Sequence, residues 1–330
     1  PTEIYTLFES SAASDVYKRQ PVIHVKDASR AVGVMRSLIS NDSKKPFVKE
    51  VDQRYDELRT KHEARQSEKQ LISLQEARNN KLKVDWQQVE IIHPKTLGKQ
   101  VLSDYPLNDI REYIDWTFFF HAWRITGKYP AIFDDPVKGE EARKLYDDAN
   151  ILLDRIISEK MITANAVYGI YPAISKNEDV EVEVENATLT FNFLRNQEKK
   201  EEGVPNLCLA DFIAPKESGL TDYIGFFAVT AGLGIERWVE HFEDQQDDYS
   251  SIMLKVLSDR LAEALAELLH ERIRKEFWAY AESEDLSVEE TIKERYQGIR
   301  PAPGYPACPE HSEKLKLFEI LDVEKSAGIS

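Results

Sequence analysis

Residues 166–194 read AVYGIYPAIS, KNED, VEVEVE, NA and TLTFNFL in succession. The first run, Ala166–Ile174, is strand-like. In the second, Val180, Val182 and Val184 alternate strictly with glutamates, the period of a half-exposed strand. The third, Thr188–Leu194, continues with threonines and phenylalanines. Lys176-Asn177-Glu178-Asp179 and Asn186-Ala187 supply polar breaks between the runs, so an antiparallel meander is expected. Leu207–Ala214 and Tyr223–Val229 read as two more strands, closed by a turn over Thr230–Gly234.

Helical periods flank this block. In Gly139–Lys160, Leu145, Ala149, Leu152, Leu153, Ile156 and Ile157 form one stripe. The longest helix is expected over Asp247–Tyr280, burying Leu254, Leu257, Leu261, Ala264, Leu265, Leu268, Ile273 and Phe277. Ser287 with Glu290 three residues later forms a capping box for a helix over Val288–Tyr296, and Leu315–Leu321 reads as a last short helix. Upstream, Asn108 or Asp109 can cap a helix through Tyr113 and Ile114. Asp115 is expected at a break before Trp116, Phe118, Phe119, Phe120 and Trp123. Strands in the middle with helices outside define an α+β fold around an antiparallel sheet.

The N-terminal third differs. Residues 1–20 carry no helical or strand period and look foreign to the rest. Val22, Ile23 and Val25, followed by a Ser29-capped helix through Ala31 and Leu38, form one strand–helix unit of an α/β sheet. Phe47–Gln70 is dense in charge, with Val51, Tyr55 and Leu58 as sparse apolar positions, the pattern of a solvated helix or tether. A polar connector over Asn79–Val89 follows, and the domain boundary is expected within this tether.

Composition narrows the class. Among 330 residues, 59 acidic against 43 basic side chains leave a net charge of −16, which disfavours nucleic acid as a partner. No apolar run reaches the length of a membrane span. Two cysteines, Cys208 and Cys308, cannot build a disulfide framework and fit a reducing, cytoplasmic compartment. No P-loop, dinucleotide fingerprint or Gly-x-Ser-x-Gly occurs. Glu267-x-x-His270 has di-metal carboxylate spacing and Cys308-x-x-His311 offers two zinc ligand types, but each lacks its complement of partners.

The stretch Arg300–His311, RPAPGYPACPEH, carries the chemistry. Four prolines exclude helix and central strand, leaving a stiff extended loop. Arg300 presents a planar fork of donors suited to a carboxylate. Gly304 admits a close approach of ligand or backbone. Such a loop is either a binding wall or a polyproline-like surface connector.

This loop resembles the RxxxGY element in the activation domain of cobalamin-dependent methionine synthases. Tyr113-Ile114-Asp115-Trp116, Leu209–Pro215 (LADFIAP), Asp259–Ala264 (DRLAEA) and Tyr296–Ile299 fit the same family in the same order. The resemblance runs from about Pro21 to Ser330. It implies residues 21–45 as the end of a Rossmann-like cobalamin-binding domain, 46–98 as a helical tether, and 99–330 as an S-adenosylmethionine-binding activation domain, truncated at its C-terminus and so expected to bind that ligand less tightly.

By the same resemblance Arg300 binds the methionyl carboxylate, and Asp115 and Glu263 are acidic contacts to the ligand. Ala302 and Gly304 leave room for adenosine, Tyr305 faces the sulfonium or the corrin, and Ala28 meets the corrin through its backbone. The bland alternatives are a helix-end arginine, a helix-capping aspartate, a solvated glutamate and a packed loop tyrosine. No catalytic acid or base and no metal ligand is expected within this chain. The cofactors implied are S-adenosylmethionine and cobalamin (as methylcobalamin), with zinc confined to a separate homocysteine-binding module. No Asp-x-His-x-x-Gly segment, the family's source of the lower axial histidine, occurs here. The activity implied is reductive remethylation of cob(II)alamin within a methyltransferase that makes methionine. The implied partners are the cobalamin domain of the same polypeptide and a flavodoxin-type electron donor. The fragment alone is not expected to make methionine. Two other classes stand beside this one: a non-catalytic S-adenosylmethionine-binding or docking module, and an enzyme with its own di-metal site.

Overall fold

A computed structural model describes residues 23, 28–40, 43–68, 70–185 and 187–329, and these form two compact units, Pro1–Leu71 and Ile72–Ser330. The readings made on residues 1–20, and on all but Ile23 of the run 21–27, lie outside the described residues. In the first unit, helices α1 (Ala28–Ile39) and α2 (Lys44–Glu68) pack together, and Val51 is buried there. Pro46 falls in the first turn of α2, where its missing N–H costs no helical bond. Ala28 opens α1, and Ser29 stands inside the helix rather than capping it.

The second unit is built on a five-stranded antiparallel sheet: β1 (Gly98–Leu102), β2 (Thr163–Lys176), β3 (Asp179–Val184), β4 (Ala187–Asn192) and β5 (Asp222–Leu233). The long β2 organises it. β5 pairs along one edge of β2 from Thr163 to Ala173, so the other edge is shared, by β1 over Ala166–Ile170 and by β3 over Ala173–Lys176. β4 completes the meander, with Val180 opposite Phe191.

Both faces of β2 are covered, which explains its nearly unbroken apolar sequence. Ala164, Ala166, Tyr168 and Ile170 face one core, which is closed by helices. Val167, Tyr171 and Ala173 face a second, smaller core with Phe191, Phe193, Cys208, Cys308 and Leu321.

The larger core is closed by α6 (Gly139–Ser158) and α8 (Asp248–Arg272), with α4 (Leu107–Arg111) and α5 (Trp116–Ala122) packed on α8. Leu254, Leu257, Leu261 and Leu265 of α8 are each wholly buried, and truncating any one to alanine costs about 2–5 kcal/mol. Short helices complete the unit: α3 (Leu74–Asn79), α7 (Glu236–Asp244), α9 (Val288–Ile292), α10 (Glu313–Leu321) and α11 (Val323–Ala327).

Several sequence expectations need correction. Leu207–Ala214 is not a strand but a loop with a 3₁₀ turn at Leu209–Phe212. The Asp211 carboxylate accepts the Cys208 N–H at 3.1 Å, and this local bond replaces a ladder bond. Neither Asn108 nor Asp109 caps α4; Pro106 takes that position and the two polar residues lie in the first turn. β5 continues to Leu233, so the turn begins later, at Gly234 with φ +85°. The long helix ends at Arg272 and passes into a π turn over Ile273–Phe277, short of Tyr280. Helix α9 stops at Ile292, because Glu294 is left-handed with φ +55°. β1 and α3 carry no period long enough to be read from sequence, whereas α7 has Ile235, Trp238, Val239 and Phe242 at helical spacing, a signal that sequence reasoning missed.

Candidate functional site

Helix α8 places a carboxylate, a second carboxylate and an imidazole in succession on the side reached by the Arg300 loop: Glu263, Glu267 and His270. The π turn then carries Arg274 inward, where it is wholly buried. A π turn shifts the register of side chains by one residue, which is how a helix end aims a group that regular winding would point elsewhere. Arg274 Nη2 lies 2.6 Å from Glu284 Oε2, and Arg274 Nη1 donates to His270 Nδ1 at 2.9 Å. The guanidinium also sits 4.3 Å from the centre of the Tyr296 ring, and His270 meets the same ring edge-on at 4.7 Å.

His270 must be neutral to accept that bond. Burial, with Arg274 and Arg300 nearby, depresses its pKa from 6.5 to about 3.

Arg300 arrives from α9, whose start is fixed by the Ser287–Glu290 capping box. Its Nη2 donates to Glu267 Oε1, and both side chains are about four-fifths buried, with 21% and 17% exposed. Burial pushes the Glu267 carboxyl up despite Arg300, and Glu294 and Glu263 push in the same direction. Arg300 Nε and Glu267 Oε2 are both buried without a hydrogen-bond partner. An unpaired buried donor and acceptor of this kind each carry a desolvation cost of about 1–3 kcal/mol that a ligand can remove.

The loop beyond Arg300 folds on itself. Gly304 N–H donates to Cys308 O at 2.8 Å, and Cys308 N–H donates to Tyr305 O at 2.9 Å. Gly304 has φ +105°, and a Cβ there would stand 2.6 Å from His311 Cε1. Ala302 and Gly304 are exposed, and Tyr305 is 62% exposed. Ala307 is buried, and Cys308 anchors the far end in the second core. Beside the cluster, a cavity of about 500 Å³ is lined by the 279–284 turn and Gln297. Burial pushes its Tyr280 hydroxyl up to about 12.

The structure thus brings Glu263 and Arg300 together through Glu267, which interacts with both. Asp115 sits at the N-cap of α5, on the helix packed against α8, and its carboxylate accepts the Thr117 N–H at 2.8 Å. Its described bond is therefore local, as a capping residue's would be. Ala28 lies in the other unit.

Glu267 entered the sequence reading only as metal spacing; here its carboxylate is engaged by Arg300 and the His270 nitrogen by Arg274. No group of three or more His, Cys, Asp or Glu side chains able to hold a metal ion occurs among the described residues. The i, i+4 spacing of Glu263 and Glu267, which puts both on one helix face, was the signal available for Glu267. No helix among the described residues is long and apolar enough to cross a membrane.

Comparison with known proteins agrees with this architecture. A crystal structure of the MetH reactivation domain bound to AdoHcy superimposes with a TM-score of 0.74 at 48% sequence identity, covering 79% of this chain and 81% of that one. A family model for the activation domain of vitamin B12-dependent methionine synthase matches residues 106–330. The chain, with an antiparallel sheet flanked by helices and the Arg300 loop held against α8, belongs to the family of vitamin B12-dependent methionine synthase activation domains.

Proposed function

We propose that the second unit binds S-adenosylmethionine at the Arg300–Glu267 cluster and presents its methyl group for reductive remethylation of cobalamin. The observation that carries this reading is Arg300: largely buried, oriented by Glu267, with one N–H left without a partner. A zwitterionic head group matches what the pair lacks, since its carboxylate accepts from Arg300 and its ammonium donates to a glutamate once the pair parts. Glu263, exposed and one turn away, adds negative charge where a ligand carrying a sulfonium brings positive charge. The related MetH domain holds AdoHcy, the product left when the sulfonium loses its methyl.

In this reading Asp115 contributes a further carboxylate from α5, while Ala302 and Gly304 leave a wall without side chains for the adenosine. Tyr305, exposed at the loop tip, faces outward to the sulfonium or the corrin. Ala28, through its backbone, would meet the corrin of a cobalamin carried by the adjoining domain, which would supply the cobalt as methyl acceptor with one electron from a flavodoxin-type donor. The chain's own residues position: they fix both ends of the methionyl group and hold the sulfonium methyl in line while excluding water. Residues 21–45 then end the cobalamin domain, 46–98 form the tether and 99–330 form the activation domain of a cytoplasmic methyltransferase. The experiment is methyl transfer from labelled S-adenosylmethionine to cobalamin, in the polypeptide that carries both domains, with a one-electron reductant. Label on cobalamin that requires the reductant is the expected result. Binding of S-adenosylmethionine without any label transfer would overturn the reductive role.

A further inference from the structure

A buried ion pair lies outside the cluster just described and is unused by it. Arg195, with only 1% of its side chain exposed, forms a two-toothed contact with Asp211: Nη1 to Oδ2 at 2.6 Å and Nη2 to Oδ1 at 2.7 Å. Two further donors of the guanidinium are also used, by Glu178 Oε1 at 3.0 Å and by the Asn206 carbonyl at 2.9 Å. Asp211 Oδ2 accepts the Cys208 N–H in addition. The carboxylate therefore fixes the backbone at Cys208 from one side while Arg195 fixes the carboxylate from the other.

The next amide along the chain leads to the Arg300 loop. Leu209 N–H donates to Ala307 O at 2.8 Å, bonding the 3₁₀ turn to the loop's inner end. One residue on, the Cys308 carbonyl accepts the Gly304 N–H that closes the loop. Cys208 stands at φ −135° and ψ 142°, and its carbonyl accepts the Asp211 N–H at 3.0 Å, so the peptide plane that carries the Leu209 amide is held as well.

We infer that Asp211, locked by Arg195, is a positioning residue for the ligand loop: it sets the turn whose Leu209 amide holds Ala307, and so fixes Gly304 and Tyr305 in place. The inference rests on the proposed S-adenosylmethionine site for its functional consequence but not for its structural one. A charged pair with two matched hydrogen bonds suits this role, since the fork fixes orientation as well as distance.

The test is Asp211→Asn, which keeps the shape and an acceptor for Cys208 but loses the charge, with Arg195→Lys as a second variant that keeps the charge but not the fork. Amide hydrogen exchange in the ligand-free protein is the first readout. Faster exchange at Gly304 and Cys308, with β2 and β5 amides unchanged, is expected in both variants. S-adenosylmethionine affinity is the second, and a fall of about tenfold is expected from loss of one charge-assisted contact's worth of order. Exchange that rises equally through the sheet, or stays at the wild-type rate in the loop, overturns the inference. Wild-type protein that binds no S-adenosylmethionine speaks against the proposed function instead, and the exchange comparison still decides the positioning role. Should Asp211→Asn fail to fold, Arg195→Lys carries the same two readouts.

Discussion

Arg300 at the head of the proline-rich loop is held by Glu267 of helix α8, one helical turn beyond Glu263. This contact joins the segment whose sequence excludes regular structure to the long helix whose leucines fill the larger core. It gives the arginine a fixed direction before any ligand arrives, and a preset donor loses less entropy on binding than a free one.

The neutral imidazole of His270 makes stability depend on acidity. Its folded pKa of about 3 lies below the ordinary 6.5, so between these values the unfolded chain binds a proton that the folded one refuses. The contribution is complete above pH 6.5 and is lost as pH falls toward 3. From pH 6.5 to 5 the loss is about 2 kcal/mol. Glu267, pushed up by burial, acts in the opposite sense, so the comparison is made against His270→Asn, which retains an acceptor for Arg274. Denaturant midpoints measured at pH 7 and pH 5 are expected to separate less in the variant. Equal separation in the two proteins contradicts the assignment.

Asp115 carries two readings that substitution can part. Asp115→Asn keeps a carbonyl oxygen for the Thr117 amide, whereas Asp115→Ala removes the cap at a cost of about 0.5–2 kcal/mol. If the carboxylate serves a cationic ligand, both variants bind S-adenosylmethionine more weakly while only the alanine variant melts at a lower temperature. Unchanged binding by Asp115→Asn would leave a helix cap and nothing more.

Much of the sheet was legible because half-burial of β3 writes a period of two into its sequence, and cover on both faces of β2 writes a nearly continuous apolar run. Helices α6 and α8 were legible through their stripes. Leu207–Ala214 was not, since its apolar residues enter the second core from a turn, and the bond that makes the turn comes from Asp211. The Arg195–Asp211 pair spans sixteen positions and leaves no periodic trace, because charges that pair between loops follow neither the helical nor the strand period. Of the site, Arg300 and Glu263 came from family resemblance. Glu267 and Arg274 emerged only when the π turn and the loop's return path were in place.

Gly304→Ala addresses the loop itself. With φ +105°, an added Cβ is strained whatever the space, at a cost on the order of 1–3 kcal/mol. The exposed His311 ring can swing away from the new methyl group. Thermal denaturation of Gly304→Ala and of Gly304→Ala with His311→Ala is therefore expected to show the same loss. Full recovery in the double variant would mean that the imidazole contact, and not the backbone angle, requires glycine.

The most direct measurement is calorimetric titration of S-adenosylmethionine into the wild-type chain and into Arg300→Ala. Saturable one-to-one binding is expected in the first, with affinity lower by about tenfold to a hundredfold in the second, the value of a charge-assisted carboxylate contact. Equal affinity in the two proteins would contradict a ligand site at Arg300.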